Sequence, residues 1–260
     1  MKKHNLGIVL GGGGARGFAH LGIMEALYEQ NIYPDIISGV SAGSIAGVFL
    51  ADGKSPQQTL EILKEKGLFS YTKITLPKTG LLRLDGLEHE LKNDISVDNI
   101  EELKTPLIAA VANLNKGNVE YLSEGPIEKI ILASSSIPVL FAPVEMNGSL
   151  YADGGLFDNV PAEPLQGICE KIIAMDISPV QPKEKLDSLL QIATRTLQLS
   201  MNATTKGLKD KCDMIIAPGK CSEYEILKAS HADELFEVGY SYTKSDDVRK
   251  QIARIMEKKG

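Results

Sequence analysis

The sequence predicts a single α/β domain with a mostly parallel central sheet flanked by helices. Three observations carry this reading. Short aliphatic runs of strand length alternate with segments of helical spacing. The first strand is joined to the first helix by a run of glycines. No Pro/Ser-rich linker, internal repeat or low-complexity stretch divides the 260 residues. With 43% of them hydrophobic, the chain can fill one large core.

Leu6-Gly7-Ile8-Val9-Leu10 reads as a buried strand ended by Gly11. Lys2 and Lys3 precede it, but five apolar residues are too few for the core of a leader peptide. The segment is therefore read as a strand and the protein as cytoplasmic. Phe18, Leu21, Met24, Ala26 and Leu27 recur at helical spacing, giving a helix to about residue 30. Residues 35–38 form a second strand entered through Pro34, and residues 42–51 a small-residue helix. Further strands are expected at 106–114, 119–122, 150–152, 171–177 and 213–217, and helices at 55–66, 87–93, 127–133, 186–208 and from Ala232 onward. In the helix 186–208, Leu186, Leu189, Leu190, Ala193, Leu197 and Met201 are in register, most simply as a core face and equally as the cover of a subunit interface.

Composition excludes several classes of function. Lys and Arg number 28 against 34 Asp and Glu, a net charge of -6, which argues against a nucleic-acid partner. No apolar run approaches the ~20 residues of a membrane-spanning helix. Cys169, Cys212 and Cys221 make an odd count with no C-x-x-C pair, as expected of reduced thiols. Asp35, Asp85 and Asp153 are not grouped with histidines in any ligand pattern, so neither a metal nor another cofactor is expected.

Three motifs can carry chemistry. Gly11-Gly12-Gly13-Gly14-Ala15-Arg16-Gly17 turns several backbone N–H groups into one concavity at a helix N-terminus. Alone it leaves three uses open: a dinucleotide phosphate, an oxyanion or a structural turn. The dinucleotide fingerprint wants an acid at the far end of the second strand, and Asp35 stands at the near end. Gly39-Val40-Ser41-Ala42-Gly43 is a G-x-S-x-G between strand and helix, the context of a nucleophile elbow. Of the histidines that might serve Ser41 as base, His4, His20 and His89 read as surface or packing residues, and His231 lies at a helix start. Tyr151-Ala152-Asp153-Gly154-Gly155 ends a strand in an acid, and a carboxylate set against a serine hydroxyl can take its proton directly.

In this order the three motifs resemble those of the patatin-like phospholipases. The stretch Ala133-Ser134-Ser135-Ser136-Ile137-Pro138 and the run Asp158-Asn159-Val160-Pro161 are similar as well. The resemblance implies a three-layer α/β/α fold and a lipid acyl hydrolase with Ser41 as nucleophile and Asp153 as general base. It implies an oxyanion hole at Gly12, Gly13 and Gly14, with Arg16, Gly17, Gly39, Gly43, Gly154 and Gly155 supporting the motifs. Residues 5–165 hold all three motifs, and residues 166–260 are expected to complete the same domain. A soluble carboxylesterase or thioesterase with the same dyad, or a non-catalytic lipid-binding protein, remains an alternative.

A lipid or phospholipid ester is met at an interface. Residues 66–84 contain Lys66, Lys73, Lys78 and Arg83 and no acid, interleaved with Leu68, Phe69, Tyr71, Ile74, Leu76, Leu81, Leu82 and Leu84. Such a mixture suits either a loop whose apolar residues pack on the body of the protein or peripheral contact with an anionic membrane. In the second case, replacing Lys73 and Lys78 with glutamate is expected to weaken co-flotation with anionic vesicles. Equal flotation of variant and wild type contradicts the contact.

Overall fold

Leu6, Ile8 and Leu10 enter the largest apolar cluster, and Val9 between them enters a second, smaller one. Period-two alternation with both faces buried marks a central strand. The computed structural model describes residues 4–65, 84–182 and 185–257. The basic-apolar stretch at 66–84 falls, but for Leu84, outside them.

Strand β1 (His4–Leu10) lies between β2 (Ile36–Gly39) and β7 (Cys169–Met175), parallel to both. β3 (Leu107–Asn113) continues the parallel set beyond β2, and β8 (Met214–Ile216) beyond β7. Three antiparallel strands complete the sheet of eight: β4 (Asn118–Leu122), β5 (Val144–Met146) and β6 (Ser149–Asp153). β5 has no counterpart among the expected strands. With only three residues, it lacks the length that periodicity needs.

The register of β3 places the site. Ala109 pairs with Gly39 of β2 and Leu122 of β4, while Val111 pairs with Asp153 of β6 and Glu120 of β4. Since β4 takes one edge of β3 throughout, β2 and β6 share the other. They run in opposite directions, so their C-terminal ends meet across Ala110.

Helices α1 (Phe18–Tyr28) and α2 (Ala42–Ala51) are apolar nearly all round and correspondingly enclosed, with every residue of α2 buried. α3 (Pro56–Glu65), α4 (Asp85–Asp94) and α5 (Ile127–Ser135) pack on the same large cluster. The expected C-terminal helix divides at Ser245, whose extended backbone separates α7 (Ala232–Lys244) from α8 (Asp246–Glu257). The smaller cluster, on the opposite face of the sheet, is closed by Val160, Ala162 and Leu165 with Leu208.

α6 (Leu189–Thr204) departs from its sequence reading. Leu189 is 83% exposed, and Leu186 and Ile192 are exposed too. Only the later part of the helix docks by apolar contact, through Leu197 on the cluster of Ile137, Leu140 and Phe141 and through Met201 beside Gly155. Helical spacing reports a shared face but not what covers it.

α7 reaches across the chain to α1. A Cβ on Gly22 would lie 1.9 Å from the Phe236 carbonyl oxygen, and one on Gly239 would lie 2.1 Å from that of Ala19. The two helices therefore touch backbone to backbone. Gly→Ala inside a helix ordinarily gains up to ~1 kcal/mol. At Gly239 the forced separation should win, costing about 1–3 kcal/mol as overpacked sites do. Gly239→Ala is expected to lower the urea midpoint with an unchanged m-value, and a raised midpoint contradicts the contact.

Candidate active site

Ser41 follows β2 as the N-cap of α2, with its backbone at φ 53° and ψ −126°. A side-chain-bearing residue in such a region costs about 1–3 kcal/mol and persists only when its neighbours hold it there. The neighbours are specific. The Ser41 N–H donates to Ser134 Oγ at 3.0 Å, and the Ser134 hydroxyl donates to the Ala110 carbonyl at 2.8 Å. The Ser41 carbonyl accepts the Ser44 hydroxyl at 2.7 Å and the N–H groups of Ser44 and Ile45. Gly39 ends β2, and Gly43 must be glycine because a Cβ there would stand 2.0 Å from the Leu10 carbonyl oxygen.

Asp153 ends β6, so the head-on meeting of β2 and β6 brings the two residues together. Its N–H donates to the Ser136 carbonyl at 2.9 Å, and its Oδ1 accepts the Gly155 N–H at 2.8 Å. Gly154 runs over the Ala110 carbonyl. Asp153 is fully buried, and Oδ2 has no partner of strict hydrogen-bond geometry among the described residues. Burial pushes the carboxyl pKa up to about 6, opposed by the Ser41 hydroxyl and the Gly155 N–H. The Ser41 hydroxyl is thus close enough to act on this carboxylate without being locked to it.

The glycine loop lies beside Ser41, where Gly17 packs on Ala42. Gly12 is not placed to donate to an oxyanion: its N–H goes to the Asn159 carbonyl at 2.9 Å, and its carbonyl accepts the Ser178 hydroxyl. The N–H groups of Gly13, Gly14 and Ala42 have no acceptor among the described residues. These are the donors the site offers. Arg16 is buried, and its guanidinium donates to the carbonyls of Tyr224, Pro179 and Ser222, so it ties the loop to two later segments. Burial lowers its pKa.

No histidine lines the cavity at Ser41. His20 is buried with Nε2 2.8 Å from the Gly11 carbonyl oxygen, and burial drives its pKa down to about 4. The neutral ring supports the glycine loop from behind. His231 stands at the start of α7, with Nδ1 3.0 Å from Glu234 Oε1. His89 is exposed on α4, and His4 is half-buried at the start of β1. Among the described residues no group of His, Cys, Asp or Glu gathers as metal ligands.

Ser41 and Asp153 open into a cavity of about 490 Å³, whose wall includes Gly13, Gly14, Arg16, Ile137, Asn159 and Arg195. On the other side of Ser41 lies an apolar crevice lined by Ile45, Leu84, Leu87, Ile137 and Phe141. It closes to about 10 Å³, so an acyl chain can enter only by displacing side chains.

The profile of the patatin-like phospholipases matches residues 8–165, more than half of the chain. The chain belongs to the patatin-like phospholipase family. Among relatives, an uncharacterized NTE family protein of Mycobacterium tuberculosis is 28% identical over 201 residues, covering 76% of this chain and 56% of that one. The mouse patatin-like phospholipase domain-containing protein 7 is 28% identical over 273 residues, 91% of this chain and 20% of its own length. A yeast lysophospholipase, from Saccharomyces cerevisiae, is 27% identical over 270 residues, 91% of this chain and 16% of its own. This chain thus spans about half of the mycobacterial relative and a fifth or less of the other two. The crystal structure of VipD from Legionella pneumophila shares the fold, with a TM-score of 0.56 at 16% identity over 97% of this chain and 67% of that one.

Ser134 and Asn159 lie in the two stretches similar to the patatin-like phospholipases, yet nothing in the sequence marked what they hold. Ser178 and Arg195 carried no signal, because each reaches the site from a segment without a motif. The role of Ser134 is testable. Ser134→Ala removes the acceptor of the Ser41 N–H and should cost about 1–3 kcal/mol in stability. It should also slow fluorophosphonate labelling of Ser41 at least tenfold in protein that remains folded. Labelling at the wild-type rate contradicts a positioning role.

Proposed function

We propose that this chain hydrolyses carboxylic esters of lipids, phospholipids among them, through a Ser41–Asp153 dyad and an acyl-enzyme. The observation that supports it most directly is a serine held in a left-handed turn beside a wholly buried carboxylate with one oxygen left for it. The family, and the name of the yeast relative as a lysophospholipase, support the substrate class.

In the first half-reaction Asp153 takes the Ser41 proton as Oγ bonds to the ester carbonyl carbon. The carbonyl oxygen becomes an oxyanion facing the N–H groups of Gly13, Gly14 and Ala42. Loss of one such donor typically costs ~2.7–4 kcal/mol of barrier. Collapse breaks the bond to the alcohol oxygen, which leaves with the proton from Asp153. Water then attacks the acyl-enzyme, Asp153 takes a proton from it, and that proton returns to Ser41 Oγ as the fatty acid departs. One carboxylate serves both halves, and no cofactor enters the balance.

The placement we propose is cytoplasmic, with peripheral contact at the membrane surface. No helix among the described residues is long and apolar enough to cross a membrane.

A general base is active when deprotonated. With the Asp153 pKa near 6, labelling of Ser41 by a fluorophosphonate should fall on acidification below about pH 6 and level off above it. Mass-spectrometric mapping should place the label on Ser41, and Asp153→Asn should slow it by two or more orders of magnitude. Rapid labelling independent of Asp153, or no label on folded protein supplied with lipid, overturns the dyad.

A further inference from the structure

The cavity over Ser41 and Asp153 is walled on one side by α6, through half-buried Thr194, Arg195 and Gln198, with Gln191 at the exposed rim. Leu197 and Met201 pack inward beside them, while Leu189, Ile192 and Leu199 face solvent. The wall that α6 gives the cavity is therefore mixed, and its polar part can serve a polar occupant.

Arg195 gives that polar part its charge. It is half-buried, and its Nη2 donates to the Gln181 carbonyl at 2.6 Å. Among the described residues it has no ion pair, although Glu223 and Glu225 line the same cavity. Arg16 is the other guanidinium in the wall, and its Nε, Nη1 and Nη2 each donate to a backbone carbonyl. Arg195 is near enough for its charge to depress the Arg16 pKa. Two cations thus face one small space, and only Arg195 keeps a fork of donors for a guest. Gln191 uses its amide oxygen on the Asp187 N–H, which leaves its NH2 group to donate.

We infer that Arg195, flanked by Gln191 and Gln198, forms a subsite for a phosphate carried by the alcohol half of the ester. This rests on the hydrolase reading above. The acyl half of a lipid ester is hydrocarbon and suits Ile137, Met201, Ile226 and Leu227 of the same cavity or the crevice beyond Ser41. An anion must therefore arrive on the alcohol. A guanidinium binds a phosphate through paired N–H donors, and an ammonium at the same place supplies only a point charge. Arg195 would then discriminate phosphate-bearing esters from neutral glycerides without touching the reacting atoms.

The test uses two short, water-soluble esters that differ only in the phosphate group, butanoyl glycerol phosphate and butanoyl glycerol. Their kcat/KM values are compared for wild type, Arg195→Gln, Arg195→Lys and, as a control on an exposed residue of α8, Arg249→Gln. Wild type should favour the phosphate ester by about tenfold to a hundredfold, as expected of charge-assisted hydrogen bonds. Arg195→Gln should abolish the preference, chiefly through KM, and Arg195→Lys should keep part of it. Arg249→Gln should match wild type. No preference in wild type, or the same preference after Arg195→Gln, overturns the subsite. Fluorophosphonate labelling of Ser41 on the same samples separates the two readings. Labelled protein with an unmoved preference refutes the subsite alone, and unlabelled, inactive wild type refutes the dyad and the subsite with it.

Discussion

Ala110 is the single residue of β3 between its last pair with β2, at Ala109, and its first with β6, at Val111. Two strands running toward each other along one edge must both stop there, and each stops in a functional residue's turn. The Ala110 carbonyl accepts the Ser134 hydroxyl, and Ser134 in turn accepts the Ser41 N–H. The gap in the sheet and the strained serine are therefore joined by one hydroxyl. Gly154 crosses the same carbonyl with no room for a Cβ, so Asp153 is aimed by the same point of the sheet. Ser41 and Asp153 stand 112 positions apart, yet a single register sets their separation.

That geometry opposes stability. Ser41 occupies a costly backbone region, and Asp153 is buried with an oxygen that no strict hydrogen bond satisfies. The linkage has a definite sign. The Asp153 pKa is raised from 3.8 to about 6, so between those values the folded chain holds a proton the unfolded chain has released. Stability from this group is complete below pH 3.8 and is lost as pH rises through 6. The ionised form, the one the proposed mechanism calls for, is the one the fold tolerates least. The surrounding apolar elements supply the difference: α2, buried at every position, and α1, enclosed between the sheet and α7.

Much of this was legible in the sequence. Strand β1, the boundaries of α2 and the three motif turns follow from apolar runs bounded by glycine, because there the local pattern and the tertiary role coincide. Ser41 and Asp153 were legible because each stands at or just past the end of a strand, next to glycines. Hydrogen-bond partners were not. Nothing in Gly12 says that its N–H will meet Asn159, which leaves Gly13, Gly14 and Ala42 as the N–H groups without an acceptor among the described residues. α6 marks the same limit from the other side. Its apolar spacing is genuine, but Leu189 faces solvent while Leu197 and Met201 of the same helix pack inward.

The carbonyls that hold Arg16 belong to Pro179, Ser222 and Tyr224, and the one that takes the Ala15 N–H belongs to Ile226. The glycine loop leaves the ribosome well before the segments that anchor it. At about 5–20 residues per second, roughly 10–40 s separate the synthesis of Arg16 from that of Tyr224. Throughout that interval the nascent chain carries its serine motif without the anchors that shape the loop beside it. The shape of the loop beside Ser41 is thereby deferred until the segment from Pro179 to Ile226 has emerged, an order of assembly written into which segment holds the other.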